Sequence, residues 1–213
     1  PDVVFAMEYN PTILRAVHWC RKKKIPFISW TDGTLNSEKN IGKVQRLSRS
    51  YIIKRAAAFI ASSTASREAQ IAYGADEKKC FISYLTVDIQ KYLYEKPQKT
   101  TQNEGLQLLY VGSLIQRKGL DLLLPALAET SEDIHLTIVG EGQERELLTE
   151  QAGKLGITDR IRFLGYVEGE PLRELYHNAD VFILPTREDC FGLVILEAMC
   201  ASLPVISSKY ADG

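Results

Sequence analysis

Short β-branched and aromatic runs alternate with stretches whose apolar positions recur at helical spacing along almost the whole chain. Runs at 3–6, 26–30, 59–62 and 81–84 read as one series of strands, and runs at 106–111, 135–139, 161–164, 181–184 and 204–207 as a second. Between them, residues 12–23 place Ile13, Ala16, Val17 and Cys20 on one face, the period of an amphipathic helix. Residues 41–58 predict another helix, carrying Lys43, Arg46, Arg49, Lys54 and Arg55. Leu120, Leu123, Leu124, Leu127 and Ala128 form a third stripe; Pro125 falls inside it, removes a backbone donor, and predicts a kink or a late helix start. Strand–helix alternation of this kind predicts an α/β fold with parallel sheets covered by helices on both faces.

The two series are separated by KPQKTTQNEG at 96–105, which has the composition of a linker. The split predicts two Rossmann-like units, 1–96 and 106–213, joined through 97–105. A length of 213 residues allows one large domain or two modest ones, so this agrees. Lys and Arg total 26 against 27 Asp and Glu, a net charge of −1, which argues against a nucleic-acid partner. No apolar run reaches the length of a membrane span. Cys20, Cys80, Cys190 and Cys200 lie far apart without zinc or redox spacing, which suits a reducing, cytoplasmic compartment. The chain opens at Pro1 straight into an apolar run and stops just past another, so a fragment of a longer protein is expected.

Three segments carry candidate chemistry. Tyr110–Val111–Gly112–Ser113 leads from a strand to Arg117 and Lys118 at a helix start. In an open α/β sheet, ligands bind at the carboxyl ends of strands, and two cations there suit phosphate oxygens. A surface Arg-Lys pair closing a loop is the competing reading. Gly140–Glu141–Gly142 follows the next strand. Arg145 stands where a dinucleotide fingerprint needs its third glycine, so a turn beneath a ligand and a plain strand–helix turn fit equally. The third segment, 186–199, places Glu188 and Asp189 in a loop before Gly192 opens an apolar helix containing Glu197. A carboxylate among Leu, Val, Ile and Ala needs a partner, because stripping its hydration costs several kcal/mol (roughly) if nothing pairs with it. Either Glu197 lies at the solvent edge, or its partners are hydroxyl groups of a ligand. The amides at 192–194 would then face an anion.

From residue 108 onward, the segments YVGSLIQRKGLDLLLPAL, LTIVGEGQE, RIRFLGYVEGEPLRELYHNADVFILPT and EDCFGLVILEAMCASLPVI resemble, in order and spacing, the nucleotide-binding domain of family 4 retaining glycosyltransferases. These enzymes have the GT-B fold. The first half is similar to the later part of that family's acceptor-side domain, through Thr31-Asp32-Gly33, Ala61-Ser62-Ser63 and Tyr84-Leu85-Thr86-Val87-Asp88. The resemblance implies transfer of a sugar, with retention and without a metal, from a UDP-, GDP- or ADP-linked donor to a glycan, polysaccharide or glycolipid hydroxyl. It implies no permanently bound cofactor. It also implies that further strands belong before and after this segment, and that the segment alone is not a competent enzyme.

The family's E-x7-E motif becomes D-x7-E here, Asp189 to Glu197. Glu197 is thereby expected to hold the ribose hydroxyls and Asp189 the donor sugar. Backbone at Cys190, Phe191, Gly192, Leu193 and Val194 is expected at the diphosphate, and Gly112, Ser113, Gly140, Glu141, Gly142, Phe163 and Leu164 around the nucleotide. Aspartate is shorter than glutamate by one methylene, and a displacement of about 1 Å at a reacting centre is worth about a hundredfold in rate. Ser113 replaces the usual cation after the glycine, so Arg117 is expected to supply that charge beside the retained Lys118. Where many relatives have histidine, this chain has Asp32, assigned to stabilise a developing oxocarbenium ion or orient the acceptor; an Asp-Gly turn is the alternative.

His18, His135 and His177 are expected to be structural. Arg21–Lys24 and the Lys43/Arg46/Arg49 set allow peripheral contact with the inner face of a membrane, against the reading of solvated helix faces. Two other functions stay open: a non-catalytic nucleotide-sugar-binding protein, motivated by Asp189 and Ser113, and a nucleotide-sugar epimerase or phosphorylase on the same fold.

Overall fold

The computed structural model describes residues 1–93 and 105–211, which divide into two compact α/β units. The first unit, 1–85, holds a four-stranded sheet of β1 (Val4–Met7), β2 (Phe27–Thr31), β3 (Ala58–Ala61) and β4 (Cys80–Ile82), in that order. All three pairings are parallel. The connections are α1 (Pro11–Lys23), α2 (Lys43–Ile53) and α3 (Thr64–Ala72). Asn10 caps α1 by accepting from the Ile13 amide at 3.2 Å, and Pro11 starts it. The helix closes on Arg21–Lys23, and Lys24 takes the left-handed conformation. The basic run is thus the favourable C-terminal charge of a helix dipole.

Alternation along β2 explains the core. Phe27, Ser29 and Thr31 are buried while Ile28 and Trp30 are half-buried. Phe27 and Phe59 pack with Val17, Cys20, Ile52 and Ile53 on one face. On the other face Phe5 and Phe81 stay more than half exposed, in register with Ile28 and Ile60. Helices at both faces were expected for this sheet; among the described residues the helical core residues Val17, Cys20, Ile52 and Ile53 cluster with Phe27 and Phe59 on one face. Helix α2 is shorter than the expected 41–58, because the Ala57 amide already donates to Phe27 O at 2.7 Å as the chain enters β3. Strand β4 ends at Ile82 rather than residue 84, with the Ser83 amide on Ala61 O as its last sheet bond.

The second unit, 86–211, begins with a short helix α4 (Ile89–Tyr92), capped by Asp88. Its sheet comprises β5 (Leu106–Val111), β6 (Ile134–Val139), β7 (Ile161–Gly165), β8 (Val181–Leu184) and β9 (Val205–Ser207), all parallel, in the order β7-β6-β5-β8-β9. The order reverses at β5, whose neighbours are β6 and β8. That is the switch point where a crevice opens at the carboxyl ends of the strands. Helices α5 (Leu120–Ala128), α6 (Arg145–Lys154), α7 (Gly169–Asn178) and α8 (Leu193–Cys200) connect the strands. Tyr110, Leu124, Leu136, Ile138, Tyr176 and Phe182 fill the core.

Tyr92 is buried in this same core, so 86–93 group with the second unit rather than with 1–96. The expected linker at 97–105 lies outside the described residues except for Gly105, whose positive φ brings it against Asp133 O. Pro125 neither delays nor ends α5, which starts at Leu120 and runs through it. Without an amide at 125, the Asp121 carbonyl lacks its helical partner. The Gln151 side chain of α6 donates to that carbonyl instead, at 3.0 Å.

Candidate functional site

Three loops meet at the carboxyl edge of the second sheet, and backbone contact without side chains is what lets them. Gly140 follows β6 with φ 134°, and a Cβ there would lie 1.9 Å from Gly112 O. A Cβ on Gly142 would lie 2.2 Å from Leu114 O. These glycines are therefore needed for the β6–α6 turn to pack against the β5–α5 loop, whatever else passes over them. Gly119, with φ 76°, likewise packs against Pro185 O of the β8–α8 loop.

Side chains then lock the β5–α5 and β8–α8 loops together. Arg117 O accepts from the Arg187 amide at 2.8 Å and from Thr186 Oγ1 at 3.1 Å. The Arg187 guanidinium spans to Asp121 in two hydrogen bonds and to Gln116 O in a third. That contact holds the Asp121 carboxyl below the usual aspartate range. Lys118 Nζ forms an ion pair with Asp189, both side chains being largely buried. Arg117 lies more exposed, its guanidinium 3.4 Å from Glu188 O and 4.0 Å from the Glu188 carboxylate. Asp189 is fixed from its backbone side by its amide on Tyr210 O at 2.9 Å.

Helix α8 opens at Gly192 in the left-handed conformation, with no side-chain cap. Its first backbone bond runs from the Ile195 amide to Gly192 O, and the amides of Gly192, Leu193 and Val194 donate to no acceptor among the described residues. One turn on, Glu197 has both carboxylate oxygens occupied: Tyr92 donates to one at 2.9 Å and Tyr176 to the other at 2.8 Å. Burial, reinforced by that carboxylate, pushes the Tyr92 hydroxyl up to about 12 and the Tyr176 hydroxyl higher still. The two hydroxyls that meet Glu197 come from the chain itself, where hydroxyls of a ligand were the partners expected.

A cavity of about 500 Å³ lies over these elements. It is lined by Gly112, Ser113, Gly140, Glu141, Val194 and Glu197, together with Tyr166, Glu168 and Leu172. The Glu141 side chain is well exposed and approaches Arg145 at 3.7 Å. Phe163 is half-buried beneath the Arg145 guanidinium, and Leu164 packs into the core, so neither side chain faces the cavity wall. Cys190 and Phe191 are half-buried in the loop before Gly192.

Asp32 belongs to the first unit, just past β2. Its carbonyl accepts from Ser66 Oγ at 2.8 Å and the Gly33 amide donates to Thr31 Oγ1 at 3.0 Å, but the chain turns only from Leu35 on, so the alternative of an Asp-Gly turn at 32–33 is not what forms. The carboxyl of Glu8, at the end of β1, faces that of Asp32; partial desolvation and then Asp32 raise the Glu8 value. Arg49 is not a surface cation: it grips Glu38 through two hydrogen bonds of 2.8 and 2.6 Å, with both side chains nearly buried. It therefore drops out of the basic set expected at a membrane. His18 and His177 lie on helices and His135 on a strand, as expected, and the His177 ring meets Tyr92 O at 3.3 Å. Among the described residues no helix is long and apolar enough to cross a membrane, and no cluster of three or more His, Cys, Asp or Glu can hold a metal.

Sequence reasoning missed Tyr92, Tyr176, Asp121 and Arg187. Each acts through a partner 21 to 105 positions away, and no local pattern marks it.

The family model for glycosyl transferases group 1 matches residues 94–213, more than half of the chain. An uncharacterized glycosyltransferase, MJ1607 of Methanocaldococcus jannaschii, is 38% identical over 110 residues, 51% of this chain and 28% of that protein. The D-inositol 3-phosphate glycosyltransferase of Geodermatophilus obscurus is 32% identical over 168 residues, 70% of this chain and 37% of that protein. The chain thus spans well under half the length of these relatives. Among solved structures, Anabaena Alr3699/HepE in complex with UDP and glucose superposes with a TM-score of 0.85 at 22% identity, over 99% of this chain and 60% of that one. The likeness shows a shared fold, the two parallel α/β units of GT-B glycosyltransferases.

Proposed function

We propose that this chain, which belongs to the glycosyl transferases group 1 family, binds a nucleoside-diphosphate-sugar in its second unit and takes part in transferring the sugar, with retention, to an acceptor hydroxyl. The observation that carries this is Glu197, a carboxylate on an apolar helix that, among the described residues, accepts from two phenols and lines the cavity. A UDP and glucose complex of a neighbour with the same fold supports a nucleotide-linked donor.

In this reading the cavity takes the nucleoside, with Glu197 on the ribose and the backbone of Gly112 and 140–142 beneath it. The diphosphate lies against the unpaired amides of 192–194, where the helix dipole favours an anion. Lys118 neutralises charge that develops on the leaving diphosphate, and Arg117 adds a second cation from the exposed side. Asp189, anchored by its backbone, orients the donor sugar; its pairing with Lys118 keeps both groups in place before substrate arrives. The first unit serves the acceptor, with Asp32 at the end of its strand. Cysteines spread far apart along the sequence support a cytoplasmic location, and Lys43, Arg46 and Arg21–Lys24 support contact with an anionic membrane surface or lipid-linked acceptor.

The test is a panel of UDP-, GDP- and ADP-sugars in thermal shift on the full-length protein, followed by product analysis with the donor that binds. A raised melting temperature with one donor and appearance of an α-linked glycoside are expected. Binding without transfer would leave a non-catalytic nucleotide-sugar-binding protein, the reading that the mutual neutralisation of Lys118 and Asp189 favours. A released, epimerised sugar would mark an epimerase.

A further inference from the structure

We propose that Tyr92 and Tyr176 are positioning residues that set Glu197 for the ribose, an inference that rests on the reading of Glu197 given above. The two phenols come from different places, Tyr92 from the four-residue helix α4 and Tyr176 from the last turns of α7. They converge on opposite oxygens of one carboxylate. The rings meet edge to face, with centroids 5.8 Å apart and planes at 89°, and the Tyr176 ring packs on Phe182 of β8. The His177 ring nitrogen at Tyr92 O fixes the backbone of α4 on the same helix that supplies Tyr176.

A glutamate side chain has three rotatable bonds, and fixing it against its own freedom costs entropy at the moment a ligand binds. Here that ordering is done in advance. A carboxylate offers about four lone-pair positions, two on each oxygen. Each phenol takes one, and no other hydrogen bond to this carboxylate exists among the described residues. One position per oxygen is left, and Glu197 lines the cavity. Two acceptor positions on one carboxylate match in number the two donors of a cis-diol. Since both phenols stay protonated at neutral pH, they act as donors and do not compete for the diol protons. Lys91 lies 5.5 Å from the Tyr92 ring and Arg173 acts electrostatically on its hydroxyl, and among the described residues neither forms an ion pair with Glu197.

The experiment measures the affinity of the full chain for UDP, GDP and ADP and for their 2′,3′-dideoxy counterparts, in wild type, Tyr92→Phe, Tyr176→Phe and the double variant. Phenylalanine keeps the ring packing and removes only the hydroxyl. The wild type is expected to prefer the ribose form. Each single variant should lose about three- to tenfold of affinity for the ribose form and little for the dideoxy form, and the double variant more. Equal losses for both forms, or a ribose preference unchanged in all variants, would overturn the positioning role while leaving Glu197 as the ribose ligand. A wild type that binds none of the nucleotides, or binds both forms alike, would overturn the reading of Glu197 and the proposal with it.

Discussion

Arg187 and Asp121 meet through two hydrogen bonds of 2.6 and 2.7 Å, and through them the loop after β8 is tied to the first turn of α5. The same guanidinium reaches Gln116 O, so one side chain holds both loops that carry the candidate cations and carboxylates. The Asp121 value is lowered by that contact. A carboxyl depressed in the folded state adds stability above its ordinary value of about 3.9 and loses it as pH falls through the depressed one. Asp121→Asn should therefore flatten the acid side of a plot of melting temperature against pH and leave the neutral-to-basic side parallel to wild type.

Lys118 and Asp189 should behave as one unit. Removing either leaves the other with little solvent, so Lys118→Ala and Asp189→Ala are each expected to cost about 1–3 kcal/mol, and the double variant clearly less than their sum. A double-mutant cycle in denaturant would show a coupling above ~1 kcal/mol. Lys118→Ala should also abolish sugar transfer; unchanged transfer would remove its assigned role.

Gly140→Ala is expected to cost more than ~2 kcal/mol, since the added carbon would overlap Gly112 O and the backbone there has positive φ. Gly153→Ala, within α6 and with open space around it, should instead stabilise by roughly 0.5–1 kcal/mol. Chemical denaturation of the two variants side by side separates close approach from mere glycine content.

In the first unit, Arg49→Ala or Glu38→Ala should cost roughly 3–5 kcal/mol, because each leaves a nearly buried charge unpaired. Replacing both by apolar residues of similar volume should recover most of that loss in the same unfolding measurement.

Periodicity made the strands legible: β5 and β8 fall at the expected bounds, and the others shift by one or two residues. The helices were harder. Within 41–58 the chain has already turned toward β3 after residue 55, because sheet pairing outweighs a continuing helical pattern. The loops carrying Gly112, Lys118, Gly140, Asp189 and Glu197 were legible as strand–loop–helix junctions. Their partners were not. That Glu197 needed something to pair with followed from its apolar neighbours, but that Tyr92 and Tyr176 would answer follows only from where α4 and α7 pack. Arg49 shows the opposite error: on a helical wheel it sits with Lys43 and Arg46, and only tertiary contact turns it inward to Glu38.

The proline of α5 has a consequence beyond one absent bond. Because Pro125 cannot serve the Asp121 carbonyl, α6 is tethered to Asp121 by Gln151, while the side chain of that same residue restrains the β8–α8 loop. Asp121 is thus a junction at which an outer helix and a ligand-facing loop share a single anchor. Pro125→Ala would give α5 back its internal bond and set the new amide beside Gln151 on a single carbonyl, so a more regular helix would come with a shared rather than a dedicated tie to α6.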